Sequence, residues 1–222
     1  MQLPRTVMDD FAECLNDAIG VLVYGRSGLR AERERWAQVH DESIVKDKLV
    51  IHGISNPGQE PDPVQVWRLD ELLHRLSPDG PIAQAMSDQW VSAVYQQWDE
   101  VLRPQAATLL GLSDKDDVKM PILGDLRRLR HDVVHHRGVA SAGNTSRCEV
   151  LTHWFAVGDR ILIDPRKAHE FVEILCASQD GYQISHLSSE WLEESHQGER
   201  QRLREAVAVL KKNSPTSPSE DV

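Results

Sequence analysis

The residues best suited to chemistry lie between Leu126 and Gly138, in the run LRRLRHDVVHHRG. Histidines His131, His135 and His136 stand there beside Arg127, Arg128, Arg130 and Arg137. Imidazole is the one side chain whose ordinary titration falls near neutrality, and a guanidinium is a permanent planar cation, so the combination suits proton transfer next to a phosphate. On a helix, His131 and His135 are neighbours one turn apart, with Arg127 one turn before His131, giving a polar cationic stripe. The same histidine pair would also suit a metal. His136 projects nearer the apolar side and reads as a hydrogen-bonded structural histidine, or as an alternative catalytic one.

These side chains need a helix to hold them, and the flanking residues supply its ends. Pro121 suits a first turn and Gly138 the left-handed position after the last, which predicts a motif helix over 121–137. Ile122, Leu126, Leu129 and Val133 form its apolar arc, widened by Leu123 and Val134. Arg130 falls inside that arc. A guanidinium there requires a partner, a cleft or a second subunit.

The wider pattern predicts a mainly α protein. Met8, Phe11, Leu15, Ile19 and Leu22 mark a first helix from Val7 to about Val23, and a charged second helix spans about Arg30 to His40. The run KLVIHGI suits a strand, the Pro- and Gly-rich segment after it a loop, and Val64 to Leu76 a short helix. A long helix then carries the stripe Met86, Trp90, Val94, Tyr95, Trp98, Val101 and Leu102, read as core. A break covers Gly111 to Asp117. After the motif helix, VLTHWFAV, Gly158-Asp159 and RILID predict a β-hairpin at about 149–163. Asp164 caps the next helix with Pro165 at its first position. A last helix is expected from Ser188 to Lys211, followed by a disordered tail at 213–222, so that 1–212 forms one domain.

Composition narrows the classes. With 40% hydrophobic and 27% charged residues the chain is neither disordered nor fibrous. Cys14, Cys148 and Cys176 are scattered and form no CxxC, so neither a disulfide framework nor a zinc knuckle is encoded. The acidic N-terminal run and the absence of a long apolar stretch point to a soluble cytoplasmic protein without membrane attachment. A net charge of −10 argues against a generally basic nucleic-acid surface, yet residues 118–148 reverse that sign locally.

The segment Arg130-His131-Asp132-Val133-Val134-His135 resembles the motif of HEPN-domain ribonucleases: an arginine, a polar residue, three or four further residues and a histidine. The likeness covers about Trp90 to Ser141. Arg35 and His40, in RWAQVH, repeat the bare spacing, but an aromatic residue follows the arginine and no glycine-terminated turn follows the histidine. The resemblance implies an all-α HEPN-like bundle forming a homodimer, with two motif helices meeting around a composite cleft for metal-independent RNA cleavage, without metal or cofactor. His135 would act as acid or base, Arg130 would bind phosphate and His131 would orient or assist, while Arg127, Arg128 and Arg137 would hold RNA. Such proteins often act in defence or as toxins with a neutralising protein partner. The tyrosine that partner enzymes modify in some members is not matched, since His136 and Arg137 stand in its place.

Two other readings use the same residues. One is a noncatalytic HEPN-like module for dimerisation or RNA binding. The other is an HD-type metal phosphohydrolase, in which His131 and Asp132 would be joined by His74 and by Asp159 or Asp164.

Overall fold

The computed structural model describes residues 1–41, 49–54, 62–179 and 182. Its elements run α1 (Arg5–Asp41), β1 (Leu49–Ile54), β2 (Asp62–Arg68), α2 (Leu69–Arg75), α3 (Pro81–Gln96), a π-helical stretch (Gln97–Leu102), α4 (Arg103–Leu109), a 3-10 turn (Lys115–Asp117), α5 (Pro121–His135), α6 (Ala142–Thr145) and α7 (Pro165–Ala177). The fold is mainly α, as expected. The expected last helix and the tail lie outside the described residues. No helix among the described residues is long and apolar enough to cross a membrane.

The first two expected helices are one. Leu22 and the residues before it bury their apolar face in the main core, while Leu29 and Trp36 in the second half of α1 pack on a separate cluster of Leu69, Leu72 and Leu76. Gly25, between the two expected helices, is a point of close approach to Met86. A Cβ there would come within 2.1 Å of the Met86 Cε on α3. A helical glycine costs on the order of 1 kcal/mol, and its bare face leaves room for the end of the Met86 side chain.

The main core joins α1, α3, α5 and α7. Phe11 stacks on Trp98 at 5.9 Å between ring centroids, and Trp90 meets Phe171 edge-on at 5.7 Å. The core reading of the α3 stripe therefore holds, with one exception. Val101 is 40% exposed because the wide π-helical turn, just before Pro104, rotates it off the buried face.

The hairpin expected at 149–163 does not form. The two-stranded antiparallel sheet pairs β1 with β2, from Leu49 opposite Arg68 to Ile54 opposite Asp62. Val64 to Leu76 is thus strand through Arg68 and helix from Leu69. The RILID segment pairs with the turn after α5 instead: the Ile161 N–H donates to the Gly138 carbonyl at 2.8 Å, and the Ala140 N–H to that of Asp159 at 2.9 Å. Its supposed partner strand is unavailable, because the Glu149, Val150 and Leu151 N–H groups are all bound to one carboxylate, that of Asp125.

Candidate functional site

Helix α5 starts with Pro121 in its first turn and ends where Arg137 and Gly138 turn left-handed, with φ of 54° and 71°. Gly138 meets a second demand. A Cβ there would lie 3.0 Å from Gln84 Nε2 and 3.3 Å from Asp88 Oδ1, so α3 crowds the turn. The Gln84 Nε2 and Ser87 Oγ of α3 also donate to the Ile161 carbonyl, and Ser87 Oγ accepts from the Ile163 N–H at 2.7 Å. The end of α5 is thereby fixed to α3 and to the 158–163 segment.

The buried face of α5 differs from the expected arc. Ile122, Leu123, Leu126 and Leu129 are buried, but Asp125 and Asp132 flank them at 0% and 1% exposure, while Val134 is 54% exposed. The two aspartates are two turns apart on one face, and each satisfies a different part of the following chain. Asp125 accepts from Arg128 at 2.7 Å and from the backbone N–H groups of Glu149, Val150 and Leu151. Asp132 accepts from the Ser141 N–H and Oγ–H, both at 2.8 Å, and from Asn144 Nδ2 at 2.5 Å. Burial pushes the Asp132 carboxyl up, but the hydrogen bonds from Ser141 and Asn144, aided by nearby His136, outweigh it and hold the group below the usual carboxylate range.

Asn144 links this buried carboxylate to the histidines. Its Nδ2 also lies 3.1 Å from His131 Nδ1. A carboxylate only accepts, so the amide nitrogen must be the group facing Asp132, and its second hydrogen then points at His131 Nδ1. The neutral His131 ring consequently carries its proton on Nε2. The His135 ring lies 4.6 Å from that of His131, and the His136 ring 5.7 Å, between centroids. All three imidazoles are exposed.

Arg130 is not in this cluster. It is exposed, and its guanidinium lies over the Tyr95 ring, 5.6 Å from the centroid. That contact answers the sequence-level anomaly: the cation sits on the shoulder of the apolar face with an aromatic partner. Arg130 and His135 are about 140° apart around an ideal helix, and no contact among the described residues joins them. Arg127 is exposed and borders a cleft of about 310 Å³ that Tyr95, Trp98, Lys119 and Met120 also line. Arg128 lines the same cleft but is committed to Asp125 and, at 3.7 Å, to Glu149. Arg137 is exposed at the turn.

His136 departs from its expected role. Its side chain is 47% exposed and its Nε2 stands 3.9 Å from Asp132 Oδ1, beyond hydrogen-bond reach. The HD-type ligand set does not assemble. Asp164 caps α7 by accepting from the Lys167 N–H, and Asp159 accepts from the Ala156 N–H within its turn. Among the described residues one group of three possible metal ligands converges, namely His131, Asp132 and His136.

Sequence reasoning missed Asp125, Ser141, Asn144 and Tyr95. The two aspartates left a signal, since their seven-residue spacing puts them on the same side as Ile122 and Leu129. Nothing local singles out Asn144, which meets Asp132 only through the fold. No protein-family model matches the chain, and no curated protein or solved structure shows significant similarity to it.

Proposed function

We propose that this chain is a HEPN-type, metal-independent RNA endonuclease acting as a homodimer. The observation that carries the reading is the division of labour within Arg130-His131-Asp132-x2-His135: Asp132 alone anchors the fold, while the arginine and histidines stay exposed on a rigid helix end. Folding makes no demand for imidazoles there, whereas proton transfer does. Their anchor is held by three hydrogen bonds from the next loop, which fixes the helix end from which the imidazoles project.

In this reaction a ribose 2′-hydroxyl attacks the adjacent phosphorus, its proton passes to a histidine, and the 5′-oxygen leaves with a proton from an acid. The products are a 2′,3′-cyclic phosphate and a 5′-hydroxyl. His135 is the acid or base. His131, with its proton on Nε2, donates to a phosphoryl oxygen or to the leaving oxygen. Arg130 supplies the fork that holds the phosphate, and Arg127, at the edge of the 310 Å³ cleft, follows the backbone. Arg128, already paired, serves the fold more than the RNA.

Arg130 and His135 of one chain diverge, so each site takes its arginine from one subunit and its histidine from the other. The exposed Val134, between the two on the α5 surface, suits a contact with a second copy. Mixing Arg130→Ala chains with His135→Ala chains tests this arrangement. Each mixed dimer then regains one intact site, and the mixture recovers about a quarter of the parent rate by random pairing. Recovery of nothing, with mixed dimers demonstrated, would place the site within one chain. The family likeness also suggests a defence or toxin setting with a neutralising protein partner.

A further inference from the structure

We infer that His131, Asp132 and His136 form a site for a divalent transition metal, and that the Asn144 amide competes with the ion for it. The three donor atoms lie within 4.8 Å of one another. His131 Nδ1 is 3.8 Å and His136 Nε2 is 3.9 Å from Asp132 Oδ1. A tetrahedral ion with bonds of about 2.0–2.1 Å needs ligands about 3.3–3.4 Å apart. The histidine–aspartate edges must therefore close by about half an ångström. Both imidazoles are half-exposed, at 53% and 47%, so rotation of the rings supplies that movement without disturbing the core.

The position of Asn144 is the second observation. Its Nδ2 donates to Asp132 Oδ1 and points at His131 Nδ1, two of the three proposed ligand atoms. Lone pairs that converge on one amide nitrogen are aimed at a common point, and a cation at that point satisfies both. Asp132 keeps its two bonds from Ser141 when Asn144 withdraws, so the carboxylate stays oriented. The site also lies at the C-terminal end of a 15-residue helix, where the backbone dipole favours positive charge. Two imidazoles and one carboxylate select zinc, cobalt, nickel or copper over magnesium or calcium.

An ion on His131 Nδ1 would leave the Nε2 proton in place, so the site is separate from the groups that the proposed nuclease uses. The assay uses metal alone and is independent of that activity. The full chain, stripped with EDTA and exchanged into chelator-free buffer, is titrated with Co²⁺ and the visible absorption of bound cobalt is followed, with Zn²⁺ as competitor. One equivalent per chain with micromolar affinity is expected, and His131→Ala and His136→Ala should each weaken it about tenfold or more. Asn144→Ala should tighten it, by about threefold to tenfold, because the competing amide is gone. Circular dichroism of each variant verifies the fold; both histidines are exposed and their removal should leave it intact. No saturable binding below about 100 µM, binding indifferent to both histidines, or binding weakened by Asn144→Ala would overturn the inference.

Discussion

Asp132→Ala and Asp132→Asn, compared with the parent, test the buried anchor beneath the histidines. Alanine removes the acceptor for the Ser141 N–H, the Ser141 hydroxyl and the Asn144 amide. The hydroxyl and the amide can turn to water, whereas the Ser141 N–H is fixed in the backbone. One orphaned donor at about 1–3 kcal/mol, plus the loss of charge-assisted bonds, gives an expected destabilisation of about 2–4 kcal/mol. The amide variant is subtler. With its new NH2 toward Asn144, the side chain can be accommodated if Asn144 flips to present its oxygen, which then accepts from His131 Nδ1. The cost falls to about 1–2 kcal/mol, and the His131 proton moves from Nε2 to Nδ1. Urea unfolding at neutral pH reads the first effect and nitrogen-15 NMR of the His131 ring reads the second. The pH dependence follows from the lowered Asp132 carboxyl: its stabilisation is fully present above about pH 4, the unfolded value, and is lost as pH falls through the folded value. The gap between parent and Asp132→Asn should therefore close in acid. An Asp132→Ala protein within about 0.5 kcal/mol of the parent would refute the anchoring role.

Gly138→Ala must adopt a φ of 71° and press a methyl toward Gln84 and Asp88, so a loss of about 1–3 kcal/mol is expected by thermal or urea unfolding. Cys148, pushed up to about 11 by burial and by the Asp125 carboxylate, should react with iodoacetamide at pH 8 roughly a hundredfold more slowly than an ordinary thiol. Mass spectrometry of the labelled peptide checks it. Arg130→Ala removes an exposed cation from the Tyr95 face and should cost under about 1 kcal/mol while abolishing cleavage, which separates its role in RNA from any role in folding.

Much of the frame is legible in the sequence because its signals are local. Pro121 and Gly138 bracket α5, Asp164 and Pro165 open α7, and the tryptophan stripe of α3 is core, each through chemistry confined to a few neighbouring residues. The failures share the opposite property. The two expected helices at 7–23 and 30–40 read as separate because one half of α1 packs on the main core and the other on Leu69, Leu72 and Leu76, a division that only the fold makes. Residues 149–155 read as a strand, but Asp125, far back in the chain, takes the N–H groups that a strand would use. Arg130 projects between Leu126 and Leu123, both buried, but Leu123 lies two turns earlier; at the level of Arg130 the flank has run out of core, as the exposed Val134 shows, and the arginine emerges beside Tyr95. Asn144, the link between Asp132 and His131, has no sequence signature at all.

The central claim is catalysis by the exposed histidine at the end of α5, and one assay reaches it directly. Purified parent and His135→Ala proteins are incubated with a set of RNA substrates in EDTA, and the cleaved ends are identified. The parent is expected to yield 2′,3′-cyclic phosphate and 5′-hydroxyl ends without metal, while His135→Ala, with unchanged helix content and dimerisation, yields none. Cleavage by His135→Ala at the parent rate, or no cleavage of any substrate by the parent, would contradict it.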